Sequence, residues 1–321
     1  MASNNNFERV PSINQSVREK LKTFDINTIE DLLKKDLKYY VETLKLTKVR
    51  AQKILKEAKD ASFCVFKTAR EIEEISKTMI KLSTGVKSLD SITRGGLCTQ
   101  AITEFSGQFS IGKSQISHQL SVIAQLPQEK GGLDKGVLFI DTEHTYRGAR
   151  ILEIGKRFCQ DPQQLLDNLI VIRPNTSDQQ IHIIEKVLED GAKVLDNVKE
   201  IGLVIIDSII ARFRSQYIGR ESLSLRQQKL NKHLNDLLNF AVKYNAVVVI
   251  TNQISSVPQE SLFGPQTRIV GGHVIAHSAT YRFNIKNGKS GARILKILDA
   301  PDLPPLEALF EITTEGLVDL E

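Results

Sequence analysis

The chain has 321 residues, of which 41% are hydrophobic and 25% charged. This is an ordinary globular composition, long enough for about two domains. No apolar run approaches the roughly 20 residues that span a bilayer, and Met1–Asn6 lacks the charged start and apolar stretch of a secretory leader. No membrane partner is therefore expected. Cys64, Cys98 and Cys159 form no CxxC or Cys/His cluster, which argues for a reducing compartment, the cytoplasm, and against a cysteine metal site.

The net charge of +5 resides at one end: residues 1–81 carry 17 Lys+Arg against 12 Asp+Glu, and residues 82–321 carry 26 of each. A basic module of this kind suits a phosphate backbone, and it equally suits a solvated helical surface.

In chain order, Val17, Leu21, Ile29, Leu32, Leu33, Leu44, Ile54 and Leu55 recur at helical spacing among Lys and Glu, with Thr28 as an N-cap. The spacing predicts a small helical bundle over residues 1–60. Residues 61–81 show no clear period and read as a linker. From residue 82 the pattern changes to apolar runs typical of buried parallel strands, Ala101–Phe105, Val137–Ile140, Leu169–Ile172, Leu203–Ile206 and Val247–Ile250. Helical stretches lie between them, among them Ser114–Ala124, Gln179–Val187 and Arg226–Val242. This alternation predicts an α/β fold with a doubly wound, mostly parallel sheet and ligands at the C-terminal strand ends. Tyr281–Ile285 and Arg293–Leu298, separated by a Gly/Lys/Ser turn, read as a hairpin extending the sheet.

Gly107-Gln108-Phe109-Ser110-Ile111-Gly112-Lys113-Ser114 fits G-x-x-x-x-G-K-[ST] between a strand and a helix. The glycines let backbone N–H groups wrap a phosphate at a helix N-terminus. Lys113 can reach β- and γ-phosphates, and the Ser114 hydroxyl can ligate Mg²⁺. Leu203–Ile206 ends in Asp207, a second Mg²⁺ candidate. Val137–Ile140 ends in Asp141-Thr142-Glu143, where Glu143 is either a base for an attacking water or a surface loop residue.

Further motifs include Gln100-Ala101-Ile102-Thr103-Glu104, Phe213-Arg214-Ser215, Gly219-Arg220, Arg226-Gln227-Gln228-Lys229-Leu230, Thr251-Asn252-Gln253, Gly271-Gly272-His273, Ala276-His277-Ser278-Ala279-Thr280 and Asp299-Ala300-Pro301. In order and spacing the whole chain resembles the archaeal RadA recombinases and their eukaryotic relatives. The resemblance implies a RecA-type P-loop ATPase core over residues 82–321, behind a small all-helical, degenerate helix-hairpin-helix domain. It implies ATP and Mg²⁺ as cofactors, Glu143 as catalytic base, Gln253 linking the γ-phosphate to a second DNA loop, and His277 as a nucleotide sensor. It further implies that Arg150 packs on the adenine, and that Asp299 and Pro301 cap the ATP of a neighbouring subunit.

Arg212, Arg214, Arg220 and Arg226 flank or occupy the implied first DNA loop, and Arg268 lies in the second, roughly residues 255–270. Phe66-Lys67-Thr68-Ala69 resembles the family's polymerisation motif, with Phe66 and Ala69 docking on the next subunit. The implied partners are single- and double-stranded DNA and further copies of the chain, in a helical filament or ring. Recombination mediators are also implied, and the nucleoid if the cell is prokaryotic.

Departures from the family pattern fall at Gln108, Ser110 and Ile111 in the phosphate loop and at Glu221 beside Arg220. The N-terminal hairpins also lack glycine, at Ser12-Ile13-Asn14 and Leu46-Thr47-Lys48. A strand-exchange recombinase is the leading expectation. A regulatory paralogue and a hexameric motor remain beside it.

Overall fold

The computed structural model describes residues 7–63, 68–256, 267–269 and 272–320. The chain forms two compact units, Met1–Ser76 and Lys77–Glu321.

The first unit contains helices α1 (Gln15–Lys22), α2 (Ile29–Leu33), α3 (Leu37–Glu42), α4 (Lys48–Phe63) and α5 (Ala69–Ser76). Side-chain caps set their starts. Asn14 Oδ1 accepts from Val17 N at 3.1 Å and Asp36 Oδ1 from Tyr39 N at 2.8 Å. Thr28 and Asp31 cap each other reciprocally, Asp31 N donating to Thr28 Oγ1 and Thr28 N to Asp31 Oδ2, both at 3.1 Å. Val17, Leu21, Leu32, Leu44 and Ile54, which define the helical period in the sequence, are buried together around Tyr40. Helix α5 falls in the stretch read as a linker and buries none of its side chains.

In the second unit, strands β1 (Lys81–Leu82) and β2 (Leu97–Cys98) pair as a small antiparallel sheet, with helix α6 (Lys87–Ile92) between them in sequence. The main sheet contains β3 (Ala101–Gly107), β4 (Gly136–Asp141), β5 (Leu169–Ile172), β6 (Ile201–Asp207) and β7 (Val247–Ser256). It continues with β9 (Tyr281–Asn287), β10 (Arg293–Asp299), β11 (Glu307–Thr313) and β12 (Gly316–Asp319). The strand order is β12-β11-β10-β9-β3-β7-β6-β4-β5, parallel from β9 to β5 and antiparallel from β9 to β12. Strand β8 (Thr267–Ile269) pairs antiparallel with the end of β7.

The connecting helices are α7 (Lys113–Ile123), α8 (Gly148–Phe158), α9 (Gln164–Asp167), α10 (Ser177–Asp190), α11 (Ala211–Gln216), α12 (Leu223–Lys243) and α13 (Gly272–Ser278). Successive strand residues point to opposite faces. Phe105, Val137, Phe139, Leu203, Ile205, Val247 and Val249 enter one core, with residues of α6, α7 and α8. Ile102, Leu138, Ile140, Val204, Ile206, Val248 and Ile250 enter a second, with residues of α10 and α12. Burial on both faces explains why the strands read as largely apolar runs and not as alternating ones. No helix among the described residues is long and apolar enough to cross a membrane.

Because β6 and β7 lie between β3 and β4, the C-terminal ends of four neighbouring strands open on one edge. Glycine-rich, acidic and amide residues stand at those ends.

Candidate nucleotide site

Strand β3 runs into the Gly107–Gly112 turn, and α7 starts at its end. Gly112 has φ of 114°, a left-handed backbone that favours glycine. A Cβ at Gly107 would stand 2.9 Å from the Ile285 carbonyl oxygen, backbone that cannot give way. Ile111 is buried and its carbonyl accepts from Arg293 Nε at 3.1 Å, so the bulky residue in this loop packs inward. Phe109 is 83% exposed.

Lys113 is buried, and its Nζ donates to the carbonyls of Gly107 at 3.1 Å and Gln108 at 2.8 Å. Burial pushes its amine below the usual lysine range, and Asp207 and Glu143 oppose that shift.

The carboxylate of Asp207 gathers three hydroxyls from three segments. Its Oδ2 accepts from Ser114 Oγ at 2.6 Å and Thr145 Oγ1 at 3.0 Å, and its Oδ1 from Thr251 Oγ1 at 2.5 Å. Glu143 Oε1 accepts from Ser208 Oγ at 2.7 Å and from Gln253 Nε2 at 3.1 Å.

The turn carrying Glu143 is braced on both sides. Buried Asp141 accepts from Thr145 N at 2.8 Å, Tyr146 N at 3.3 Å and Arg173 Nε at 3.0 Å. His118 Nε2 accepts from Arg147 N at 3.2 Å, so Nδ1 carries the proton and donates to Ser114 O at 2.5 Å. Burial lowers the His118 pKa and favours that neutral ring.

These groups enclose a pocket of about 330 Å³, lined by Phe109–Gln115, Glu143, Thr145, Asp207, Ser208 and Gln253. The volume lies in the range of small-ligand sites. One carboxylate and several hydroxyls are hard oxygen donors, and no group of three or more His, Cys, Asp or Glu able to hold a metal occurs among the described residues. Such a set suits Mg²⁺, which is commonly held by one or two carboxylates together with substrate phosphates.

The structure thus brings together Gly107, Gln108, Phe109, Ser110, Ile111, Gly112, Lys113, Ser114, Glu143, Asp207 and Gln253 around this turn and pocket. Other residues singled out in the sequence lie elsewhere. The Arg150 guanidinium donates to Gln115 Oε1 at 2.7 Å, Glu153 Oε2 at 3.0 Å, Thr314 O at 2.5 Å and Thr313 O at 2.6 Å, tying α7 to the β11–β12 turn. Exposed His277 lies in the last turn of α13, exposed Asp299 ends β10 and exposed Pro301 follows it; none of the three lines the pocket.

Arg212 and Arg214 sit on α11, with Arg212 Nη2 3.3 Å from His144 Nε2. Arg220 is exposed between α11 and α12, and Arg226 is half-buried on α12. The backbone of Arg268 pairs with Ser255. Ala69 opens α5 and is exposed, and Phe66 lies outside the described residues. Thr145, Ser208 and Gln115 escaped the sequence reading, and Thr251 entered it only within a motif, with no role of its own. Each sits within four residues of a recognised strand end or motif, which is the only signal they leave.

In the first unit, Ser12 donates to Glu57 through both its backbone N–H and its hydroxyl at 2.8 Å, and Asn14 caps α1. The Ser12 N–H and hydroxyl and the Asn14 Oδ1 of this glycine-free hairpin are therefore committed within the protein.

A twisted, mostly parallel sheet, a glycine-cradled phosphate loop and an Asp at the neighbouring strand end define a RecA-type P-loop ATPase core. The Rad51 family model matches residues 75–320, and the chain belongs to the RecA/Rad51 family. Members are recombinase-type, DNA-binding ATPases that use ATP with Mg²⁺ and form oligomeric filaments. The match begins at residue 75 and so leaves the first four helices outside it.

Proposed function

We propose that this chain is an ATP-dependent recombinase of the archaeal RadA type, forming a filament on single-stranded DNA and catalysing homologous pairing and strand exchange. The observation that carries the reading is the convergence of Lys113, Ser114, Asp207, Glu143 and Gln253 on one pocket. The phosphate loop binds the triphosphate through backbone N–H groups, and Lys113 exchanges its loop carbonyls for phosphate oxygens. Ser114 and Asp207 would hold Mg²⁺, which when bound neutralises charge on the β- and γ-phosphates.

Among the described residues, both hydrogen bonds to Glu143 fall on Oε1, which leaves Oε2 to take the proton of the attacking water. Gln253 holds that same Oε1, at the root of the second loop. Exposed Arg214 and Arg220 suit phosphate contacts. Asp299 and Pro301, exposed and away from the pocket of their own chain, suit a cap over a neighbour's ATP. The helical domain over residues 1–60 and the segment 61–81 would serve DNA capture and assembly.

One feature favours the regulatory paralogue as a second reading, the exposed carboxylate of Glu221 beside Arg220. A strand-exchange assay with ATP and Mg²⁺ decides between the two. The recombinase exchanges strands, and Lys113→Ala neither hydrolyses ATP nor exchanges. Undiminished turnover in Lys113→Ala removes the site assignment, whereas ATP hydrolysis without exchange selects the paralogue.

A further inference from the structure

A buried chain of polar groups crosses three neighbouring strands and ends on Gln253. Glu104 on β3 is fully buried, and the sheet register sets it against Arg282 on β9 and Ile250 on β7. Its Oε2 accepts from Arg282 Nε at 2.8 Å, and its Oε1 from Asn252 Nδ2 at 2.8 Å. An ionised carboxylate only accepts. The amide of Asn252 therefore has one orientation, with Nδ2 toward Glu104 and Oδ1 away from it. That Oδ1 accepts the backbone N–H of Gln253 at 2.9 Å. Strand alternation turns the next side chain to the opposite face, where Gln253 Nε2 meets Glu143 Oε1 at 3.1 Å.

The surroundings make this arrangement informative. Ile102, Val248 and Ile250 on the same sheet face belong to an apolar core. In such a place a hydrophobic pair usually serves folding as well as an ion pair or better. An apolar side chain at position 104 would, however, remove the carboxylate to which Asn252 Nδ2 donates. Ile275 of α13 and Ala279 just after it belong to the same core, and Glu104 is closed to solvent.

We propose that Glu104 is a positioning residue for the nucleotide site. By orienting Asn252 it holds the backbone of Gln253, and so the amide that meets Glu143. The inference rests on the reading that Glu143 and Gln253 serve ATP hydrolysis.

A double-mutant cycle on the full chain tests it, with Glu104→Gln, Asn252→Ala, Gln253→Ala and the two doubles containing Gln253→Ala. The readouts are kcat and KM for ATP with single-stranded DNA, and hydrogen exchange of the Gln253 amide without nucleotide. Each single change should lower kcat roughly 10- to 100-fold with little change in KM, as a small misplacement of a reacting geometry does. Adding Glu104→Gln or Asn252→Ala to Gln253→Ala should lower kcat no further, because residues acting through one group are not additive. Losses that multiply, or wild-type kcat in Glu104→Gln, overturn the proposal.

Asn252→Ala leaves the Glu104–Arg282 pair intact, so it carries the test if Glu104→Gln fails to fold. In the absence of nucleotide, either variant should speed exchange at Gln253 about tenfold or more, and unchanged exchange in both overturns the proposal. A wild-type protein without ATP turnover would overturn the reading of the site, and the exchange result would still decide the positioning role.

Discussion

Glu143 and Gln253 stand 110 residues apart in the chain and share a 3.1 Å hydrogen bond. The bond joins the turn after β4 to β7, and Ser208, just after β6 between them, donates to the same Glu143 oxygen at 2.7 Å. Three strand ends thus converge on one carboxylate, at the point where the second loop leaves the sheet.

If Glu143 is the base, Glu143→Gln keeps the hydrogen-bond geometry and loses the proton acceptor. General base catalysis contributes about 10²–10⁴-fold, so kcat should fall by that order while nucleotide binding persists. Hydrolysis within about twofold of wild type assigns the base to another group.

Stability should fall in acid through His233. This ring is fully buried on α12, and burial alone lowers its pKa to about 3, against about 6.5 when unfolded. A lowered folded-state pKa means that the contribution is complete above about pH 6.5 and is lost as pH falls toward 3. Over the two units from pH 6 to pH 4 the loss is about 2–3 kcal/mol. Urea unfolding of wild type and His233→Leu at both pH values reads the difference. Identical pH slopes would show that His233 is not held neutral in the fold.

Assembly is expected to depend on Phe66, which the family resemblance pairs with Ala69 at the exposed start of α5. Burying an aromatic ring in a neighbour's pocket contributes about 2–3 kcal/mol per joint. Phe66→Glu should reduce long assemblies to monomers or short oligomers in light scattering. An unchanged size distribution would remove Phe66 from the contact between subunits.

Duplex DNA binding should respond to deletion of residues 1–60. The Ser12 hairpin spends its N–H on Glu57, so capture by this unit falls to Lys and Arg side chains. Each phosphate they neutralise contributes a salt slope of about −0.9 on duplex DNA. The deletion should lower duplex affinity and flatten the slope, leaving hydrolysis stimulated by single strands largely intact. An unchanged affinity and slope would make the N-terminal charge a solvated surface.

Local pattern carried much of this protein. Apolar runs broken by helical periods determined an α/β sheet, and Gly107, Gly112, Lys113 and Ser114 between a strand and a helix determined a phosphate loop, because both depend on neighbours within a few residues. Asp207 and Glu143 were legible as strand-end carboxylates, but their partners were not. Ser114 reaches Asp207 across 93 residues and Gln253 reaches Glu143 across 110. Those pairs depend on β6 and β7 inserting between β3 and β4, an order that no strand states in its own composition. Helix α5 lay hidden in an apparent linker, since its eight residues carry only Ile72 and Ile75 as large apolar points, and both stay exposed. Glu104 entered the sequence reading only within the run Ala101–Phe105 and the motif leading into the phosphate loop. Only the sheet, by setting Arg282 beside it and Asn252 within reach, gave that charge its partners.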